Sequence, residues 1–515
     1  MFRIQTLRLR AGLGLAGMKQ KFIRFIVADS SSVNNKDEVT QNLKSWREIP
    51  GPLSLPIVGP LHNFFPGGAL AGYEGFPLTK RIFELYGPIA KIDGIFGKQD
   101  MIWLFDADAV GDIYRSENIL PNRPGFESFA YYRKKYSKNY DLCQPTGLVT
   151  EQGEKWKELR TKVNQIMLQP KIIKLYSEAL ADVANDMIKR IKSTRDENKK
   201  IKHLDVEMNL WALESIGVVA LGTRLNCLNP NLCENSEARK LINNIHDFFK
   251  TVGKVDFGPS PWRYFSTPNF RRAMKIYENI ESLTRSFIYK AMKNMKNSND
   301  GTFTSSSEKP VLEKLLQIDT RTAVIMASDL LLAGVDTVSM TVMATLYLLA
   351  KNPEKQMKLR QEVLNKQDQR AYLRACLKES MRMMPVVTGN ARVTTKEYNI
   401  MGYKIPKDVT IILCNQFMSK IEEEYPNPDE FIPERWLAEK DDPLYHGNAH
   451  PFSSVPFGFG TRMCIGRRIA ELETETFITK VVENFQINWN GAPPNIAFTT
   501  INYITGPFNF VFNDF

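Results

Sequence analysis

The segment Pro456-Phe457-Gly458-Phe459-Gly460-Thr461-Arg462-Met463-Cys464-Ile465-Gly466-Arg467-Arg468 constrains this chain more than any other. Its glycines let the backbone take positive φ and approach a flat ligand closely. Cys464 stands just before the helix-like run Arg467 to Glu475, where N–H groups and the helix dipole favour a thiolate. Arg462, two residues earlier, is placed to pair with an anionic group on the same ligand. Phe457 can shield the sulfur. A deprotonated sulfur, N–H donors and an aromatic shield form the setting that a thiolate ligand to haem iron needs. The plain alternative is a buried structural cysteine, the usual fate of a lone Cys.

Composition excludes other chemistries. The chain has 515 residues with ordinary globular composition, 43% hydrophobic and 24% charged. Its five His show no ligand-like spacing, which disfavours a histidine-built metal centre. Its six Cys contain no C-x-x-C, which disfavours a disulfide framework or a four-cysteine zinc site and fits a reducing compartment. The formal charge of +11 is unevenly spread. Residues 1–28 carry six basic residues and no acid, so without them about +5 remains. No basic stripe is interleaved with aromatics, so nucleic-acid binding is not expected.

The first segment reads as an address. Arg3, Arg8, Arg10, Lys19, Lys21 and Arg24 alternate with apolar residues, and Ser30-Ser31-Ser32 follows. Arg-rich, acid-free and then Ser-rich is the pattern of a mitochondrial transit peptide, here expected over residues 1–35. The apolar run Ala11 to Met18 is too short for a membrane span. A Pro/Gly-containing lead-in follows over 36–60, with Ile49-Pro50-Gly51-Pro52 and Leu55-Pro56-Ile57-Val58-Gly59-Pro60 fixing an extended entry.

Length alone suggests about three domains. The remainder nevertheless reads as one. Helical periodicity covers Thr150 to Met167, Pro170 to Ser193, Ser236 to Val252, Asn269 to Met295, Ala323 to Ala350, Glu354 to Asn365 and Ala371 to Met383. Short β-like runs stand at Ala90–Ile95, Met101–Phe105, Val409–Leu413 and Phe508–Phe512. The polar stretch Asn297 to Lys309 is a loop. No linker intervenes, so about 45–515 is expected to be one large, mainly α domain with small β-sheets.

The run Ala323 to Ala350 is long and apolar. Asp329 and Asp336 near its middle argue against a membrane span, and a helix buried in a core fits better. Gly334 removes a side chain where a flat ligand could lie. Asp336 and Thr337 beside it could hydrogen-bond a distal ligand or pass protons.

These segments together resemble the cytochrome P450 family. Its F-x-x-G-x-R-x-C-x-G signature is met at Phe457, Gly460, Arg462, Cys464 and Gly466. Its E-x-x-R is met at Glu379 and Arg382, and Phe431-Ile432-Pro433-Glu434-Arg435-Trp436 is similar to its P-E-R-F/W segment. Trp156-Lys157-Glu158-Leu159-Arg160 resembles its W-x-x-x-R. Ala333, Gly334, Asp336 and Thr337 resemble its A/G-G-x-D/E-T-T/S. The resemblance covers about 45–515. Segments such as Thr150-Glu151-Gln152-Gly153 and Trp211 to Leu221 look like the insect mitochondrial-type branch.

The resemblance implies a haem-enclosing P450 fold and a monooxygenase that places one oxygen atom of O₂ in a lipophilic substrate. Cys464 would be the axial ligand of haem b. Phe457, Gly458, Gly334, Arg462, Trp156, Arg160 and Arg392 would hold the cofactor, the last four chiefly at its propionates. Thr337 would support iron-bound dioxygen and Asp336 the proton relay. Val338 stands where a second hydroxyl often follows. Glu379, Arg382 and Arg435 would form a buried structural triad. The substrate pocket would be lined by Phe126 to Tyr132, Leu332-Ala333, Val386-Val387-Thr388 and Ile501 to Pro507.

The chain shows no flavin or nicotinamide fingerprint, so electrons must come from outside. The resemblance implies a mitochondrial [2Fe–2S] ferredoxin with its NADPH-dependent reductase, on the matrix side of the inner membrane, with peripheral membrane contact admitted. Arg374 and Lys378, i,i+4 on one helix, and Arg467 and Arg468 look like its docking face. One departure stands out: between Leu364 and Ala371 the chain lacks roughly twenty residues that members usually carry. That shortening keeps a non-catalytic or poorly coupled haem-binding protein open. An O₂-independent haem-thiolate isomerase is the other alternative, against which Thr337 and the unexpanded cysteine loop argue.

Overall fold

The computed structural model describes residues 43–139, 145–297, 309–365 and 370–515. The basic leader over 1–35 therefore lies outside the described residues, as do the polar loop 298–308 and positions 366–369 of the shortened connection. Ser45–Phe515 forms one compact unit.

The longer helices are α1 (Gly75–Tyr86), α2 (Ala107–Arg115), α3 (Gly153–Met167), α4 (Ser177–Thr194), α5 (Leu204–Leu221), α6 (Glu237–Val252), α7 (Pro268–Asn297), α8 (Thr320–Lys351), α9 (Pro353–Leu364), α10 (Ala371–Met383) and α11 (Arg467–Asn484). The longer strands are β1 (Ile89–Ile92), β2 (Met101–Leu104), β3 (Asn390–Val393), β4 (Tyr398–Ile400), β5 (Tyr403–Ile405), β6 (Thr410–Leu413), β7 (Phe485–Trp489), β8 (Asn495–Phe498), β9 (Asn502–Thr505) and β10 (Phe510–Asp514), and the two-residue strand Lys44–Ser45 edges β5. The fold is mainly α with small sheets, as the sequence leads one to expect.

α8 is the axis of the molecule. Asp319 caps its start by accepting from the Thr322 N–H at 2.8 Å, which satisfies one of the free donors of the first turn. It is long and apolar enough to cross a membrane, yet most of its apolar stretch is buried within the protein. α5 lies against it, buried on nearly every face from Leu204 to Leu221. α7, α10 and α11 also pack on α8.

The largest sheet has strand order β1-β2-β6-β3. β2 and β6 run parallel, with Leu104 opposite Leu413; the outer pairings are antiparallel. The register places Arg392 opposite Ile411. Small antiparallel pairs join β4 to β5, β8 to β9 and β7 to β10.

The run read from Pro170 to Ser193 is broken. A short helix, Pro170–Lys174, ends before α4 begins at Ser177. Leu175 and Tyr176 close tight turns onto Ile172 and Ile173. Tyr176 is buried and its hydroxyl donates to the Lys309 carbonyl at 3.1 Å. Fixing that side chain takes precedence over a continuous helix.

Candidate functional site

The cysteine loop folds as a tight hairpin against the start of α11. Gly458 and Gly460 take φ of +70° and +74°, conformations that L side chains rarely adopt. The Cys464 N–H donates to the Phe457 carbonyl at 2.9 Å, so Phe457 and Cys464 close the loop on each other. The N–H groups of Gly466 and Arg467 point at the sulfur.

Cys464 is open only toward a cavity and is otherwise enclosed by protein. That enclosure pushes its thiol above the ordinary value, opposed by the two N–H groups and by Arg160 and Arg123. Burial thus outweighs the helix terminus, which sequence reasoning had credited with favouring thiolate. The N–H donors remain in place for a sulfur whose charge is matched by a metal.

The cavity is about 700 Å³. α8 supplies one wall through Met326, Asp329, Leu330, Ala333 and Thr337, which recur at i+3 and i+4. Phe457, Gly458, Arg462 and Cys464 face it from the loop, and Trp156 and Arg160 from α3. The lining continues past the loop to Arg374, Lys378, Arg467 and Arg468 on the outer side.

Gly334 lines this cavity, but its missing side chain serves another contact. A Cβ there would lie 2.9 Å from Ile216 Cγ1 of α5. The glycine lets two helices approach; Ala333, exposed to the cavity, is the small residue a flat ligand meets. Thr337 donates its hydroxyl back to the Ala333 carbonyl at 2.6 Å.

Asp336 does not line the cavity. It is fully buried and accepts a hydrogen bond from the Tyr503 hydroxyl of β9, while its Oδ1 has no partner among the described residues. Burial raises its pKa to about 7 against the opposing Tyr503 bond. A second buried acid lies on α11. Neither carboxylate oxygen of Glu473 has a partner among the described residues, and burial pushes its pKa well above the usual range. No local pattern marks Glu473 as an inward-facing residue.

Three arginines, Arg123, Arg160 and Arg462, line one end of the cavity, with Arg392 close behind them. Arg462 donates to the carbonyls of Pro121 and Glu151 and to Gln152, and its guanidinium stacks 3.8 Å from the Trp156 ring. Arg160 donates to the Met463 carbonyl at 2.8 Å, and its buried Nε has no partner among the described residues. Arg123 also faces the cavity, and its side chain makes no hydrogen bond among the described residues. Sequence reasoning missed it, since a lone Asn-Arg-Pro carries no periodic signal. Burial and mutual repulsion lower the pKa of Arg160 to about 10 and of Arg462 to about 9.

Arg392 differs from the other three. It pairs with Glu117 and reaches the Ala391 carbonyl at 3.0 Å, and it does not line the cavity. Its charge is matched within the protein by Glu117, whereas Arg123 makes no side-chain hydrogen bond among the described residues. The excess of buried positive charge at this end fits a ligand with two carboxylates.

The substrate-pocket expectation is corrected in part. Ala333, Val386 and Val387 line the cavity. Phe126 to Tyr132 and Ile501 to Pro507 do not: Phe126 and Phe129 pack on Phe248, and Tyr503 is held by Asp336.

Beneath the loop, the structure joins Glu379, Arg382 and Arg435, all fully buried. Arg382 grips Glu379 with two bonds of 3.0 and 2.7 Å, and Arg435 donates to Oε1 at 2.9 Å. Trp436 adds a bond of 2.9 Å from its indole. Arg382 also ties the carbonyls of Ser419 and Pro428, anchoring the segment that leads to the cysteine loop.

On the outer face, the expected basic residues are largely paired. Arg374 meets Glu475 at 3.0 Å, and Arg467 and Arg468 both meet Glu471, at 2.7 and 3.1 Å. Lys378 stands over the Trp436 ring at 5.5 Å.

The sequence profile described as Cytochrome P450 matches residues 49–510. The chain is 35% identical to Cytochrome P450 CYP12A2 of Musca domestica, covering 93% of this chain and 94% of that one. It is 35% identical to "Probable cytochrome P450 12a5, mitochondrial" of Drosophila melanogaster, covering 94% of each. It is 33% identical to "Cytochrome P450 12b1, mitochondrial" of Drosophila acanthoptera, covering 93% and 91%. The chain belongs to the cytochrome P450 family. It is a monooxygenase of the oxidoreductase class, and its cofactor is a thiolate-ligated haem iron.

Proposed function

We propose that this chain is a mitochondrial monooxygenase that places one oxygen atom of O₂ in a lipophilic substrate, steroid-like or foreign, and draws its electrons from a [2Fe–2S] ferredoxin served by an NADPH-dependent reductase. The observation that carries this reading is the lining of one cavity: a sulfur met by two backbone N–H groups, Ala333, Gly334 and Thr337 of α8, and the guanidinium groups of Arg123, Arg160 and Arg462, of which Arg123 makes no side-chain hydrogen bond among the described residues.

Cys464 would ligate the haem iron. Arg123, Arg160 and Arg462 would hold the propionates, with Trp156 supporting Arg462 by stacking. The bound haem supplies the oxygen activation that side chains cannot. Ala333 and Thr337 would present a small side chain and a hydroxyl to the bound group and its substrate from α8. Asp336, turned toward Tyr503, would deliver protons only by rotating or through the peptide backbone region it adjoins, so its contribution is one of charge and position. The apolar walls exclude water from the substrate.

Residues 1–35 would direct the chain to mitochondria, on the matrix side of the inner membrane. Lys378 and the partly neutralised Arg374, Arg467 and Arg468 would receive the ferredoxin. Their pairing with Glu471 and Glu475 favours weak docking over tight docking.

The test is turnover with labelled O₂. The purified protein, a mitochondrial-type ferredoxin and its reductase are incubated with a lipophilic panel, and labelled oxygen is sought in product. Incorporation that requires ferredoxin supports the reading. Reduction of the haem without any labelled product favours the poorly coupled alternative.

A further inference from the structure

Neither neighbour of Thr337 on α8 offers a proton to the cavity. Asp336 is fully buried and held by Tyr503, and Val338 has no hydroxyl. The helix supplies another hydroxyl one turn further on. Of the Ser and Thr side chains between Ala333 and Lys351, Thr337 and Thr341 line the cavity and keep some exposure, whereas Ser339 and Thr345 have none.

The hydrogens of the two cavity hydroxyls are committed. Thr337 donates to the Ala333 carbonyl at 2.6 Å, and Thr341 donates to the Thr337 carbonyl at 2.8 Å. Both oxygens therefore keep lone pairs free for a donor in the cavity. Side chains at i and i+4 of a helix stand about 5–6 Å apart. One water molecule, donating a hydrogen to each oxygen at about 2.8 Å, spans that gap. Leu330, Ala333 and Val338, which line the same cavity, carry no side-chain acceptor to compete for it.

The back-bond alone is no sign of function, because Ser and Thr make it in many helices. Thr345 makes the same bond to the Thr341 carbonyl at 2.9 Å inside the core. What sets Thr341 apart is that it faces the cavity one turn from Thr337.

We propose that Thr341 is a positioning residue for proton supply: with Thr337 it holds the water that feeds protons to the site, in place of a hydroxyl at 338. The inference deepens the monooxygenase reading and rests on it for the use of protons. Placing one atom of O₂ in a substrate C–H bond and releasing the other as water consumes two electrons, drawn from the ferredoxin, and two protons. In each proton transfer the Thr337 hydroxyl releases its proton toward the oxygen atom that leaves as water and takes one from the bridging water. Solvent returns a proton to that water. Thr337, Thr341 and the water end as they began, and no side chain is left charged.

The experiment compares wild type, Thr341→Val and Thr341→Ser as ferric holoproteins. Crystals of wild type and of the serine variant should show an ordered water within about 3 Å of both hydroxyl oxygens, and crystals of the valine variant should lack it. In turnover of a lipophile with the ferredoxin system, product formed per NADPH should fall about fivefold or more in Thr341→Val. It should recover in Thr341→Ser to within about twofold of wild type, and substrate affinity, which a merely packing role would disturb, should stay within about twofold in both variants.

Absence of the water from wild-type crystals overturns the proposal. A product yield in Thr341→Val within about twofold of wild type overturns it too, as does a serine variant as poor as the valine one. The wild-type crystals stand alone if a variant fails to fold. If no lipophile gives product, the monooxygenase reading fails and the bridging water decides this proposal by itself; product formed without that water does the reverse.

Discussion

The Tyr503 hydroxyl donates to Asp336 Oδ2, while Thr337, the next residue along α8, faces the cavity. Two neighbours that a motif treats as one unit are thus divided between the core and the site. Burial holds the Asp336 carboxyl at about 7 rather than near 3.8. Between those values the folded protein keeps a proton that the unfolded chain releases, so this group's contribution to stability falls as pH rises through the window. Asp336→Asn removes that dependence. Its melting temperature should match wild type at or below about pH 4, exceed it by a margin that grows toward pH 7, and keep that margin above. A difference that does not change with pH would sink this account of Asp336.

Arg123 and Arg160 have guanidinium nitrogens without protein partners at the positive end of the cavity. Each charge-assisted pair with a propionate is worth on the order of 1.5–3 kcal/mol. Arg123→Leu and Arg160→Leu should each speed haem transfer to an acceptor protein by about tenfold or more. Arg392→Leu should instead destabilise the sheet region and leave Glu117 unpaired, with little effect on haem transfer before unfolding. If Arg392→Leu loses haem faster than Arg123→Leu, the assignment of the two arginines is reversed.

Glu379 accepts from Arg382, Arg435 and Trp436 with no exposure to solvent. Removing it leaves two buried arginines uncompensated, at a cost of about 3–5 kcal/mol. Glu379→Ala should therefore give little folded holoprotein at growth temperature, measured as haem per chain. Recovery of wild-type haem content would mean that the triad is replaceable.

Lys378 is the cation of the proposed docking face that has no carboxylate partner among the described residues. Lys378→Glu should raise the ferredoxin concentration needed for half-maximal reduction by about tenfold at low salt, with less effect at high salt. Glu475→Gln, which frees Arg374, should act in the opposite direction. Equal behaviour of both variants at all salt concentrations places the docking face elsewhere.

How much of this was legible in the sequence depended on whether pattern or packing decided the matter. α10 runs from Ala371 to Met383 as its periodicity indicates, because one face is apolar and the other solvated. α5 escaped the same reasoning: it is buried on nearly all sides, so no amphipathic period marks it. β3 is four residues long and takes its place from β6, not from its own composition. The cysteine loop, the triad and the α8 face were readable because each has fixed local spacing. Arg123 and Glu473 were not, because their roles arise only when distant segments meet. The close approach of Gly334 to Ile216 was not readable either, since Ile216 lies more than a hundred residues away in the chain.

The central claim is that Cys464 is the sulfur ligand of a haem. The most direct measurement is the absorption spectrum of the reduced, CO-bound holoprotein, for wild type and for Cys464→Ala refolded with haem. Wild type should show the strongly red-shifted Soret band of thiolate-ligated haem, and the variant should lose it. Identical spectra from the two proteins would contradict the assignment.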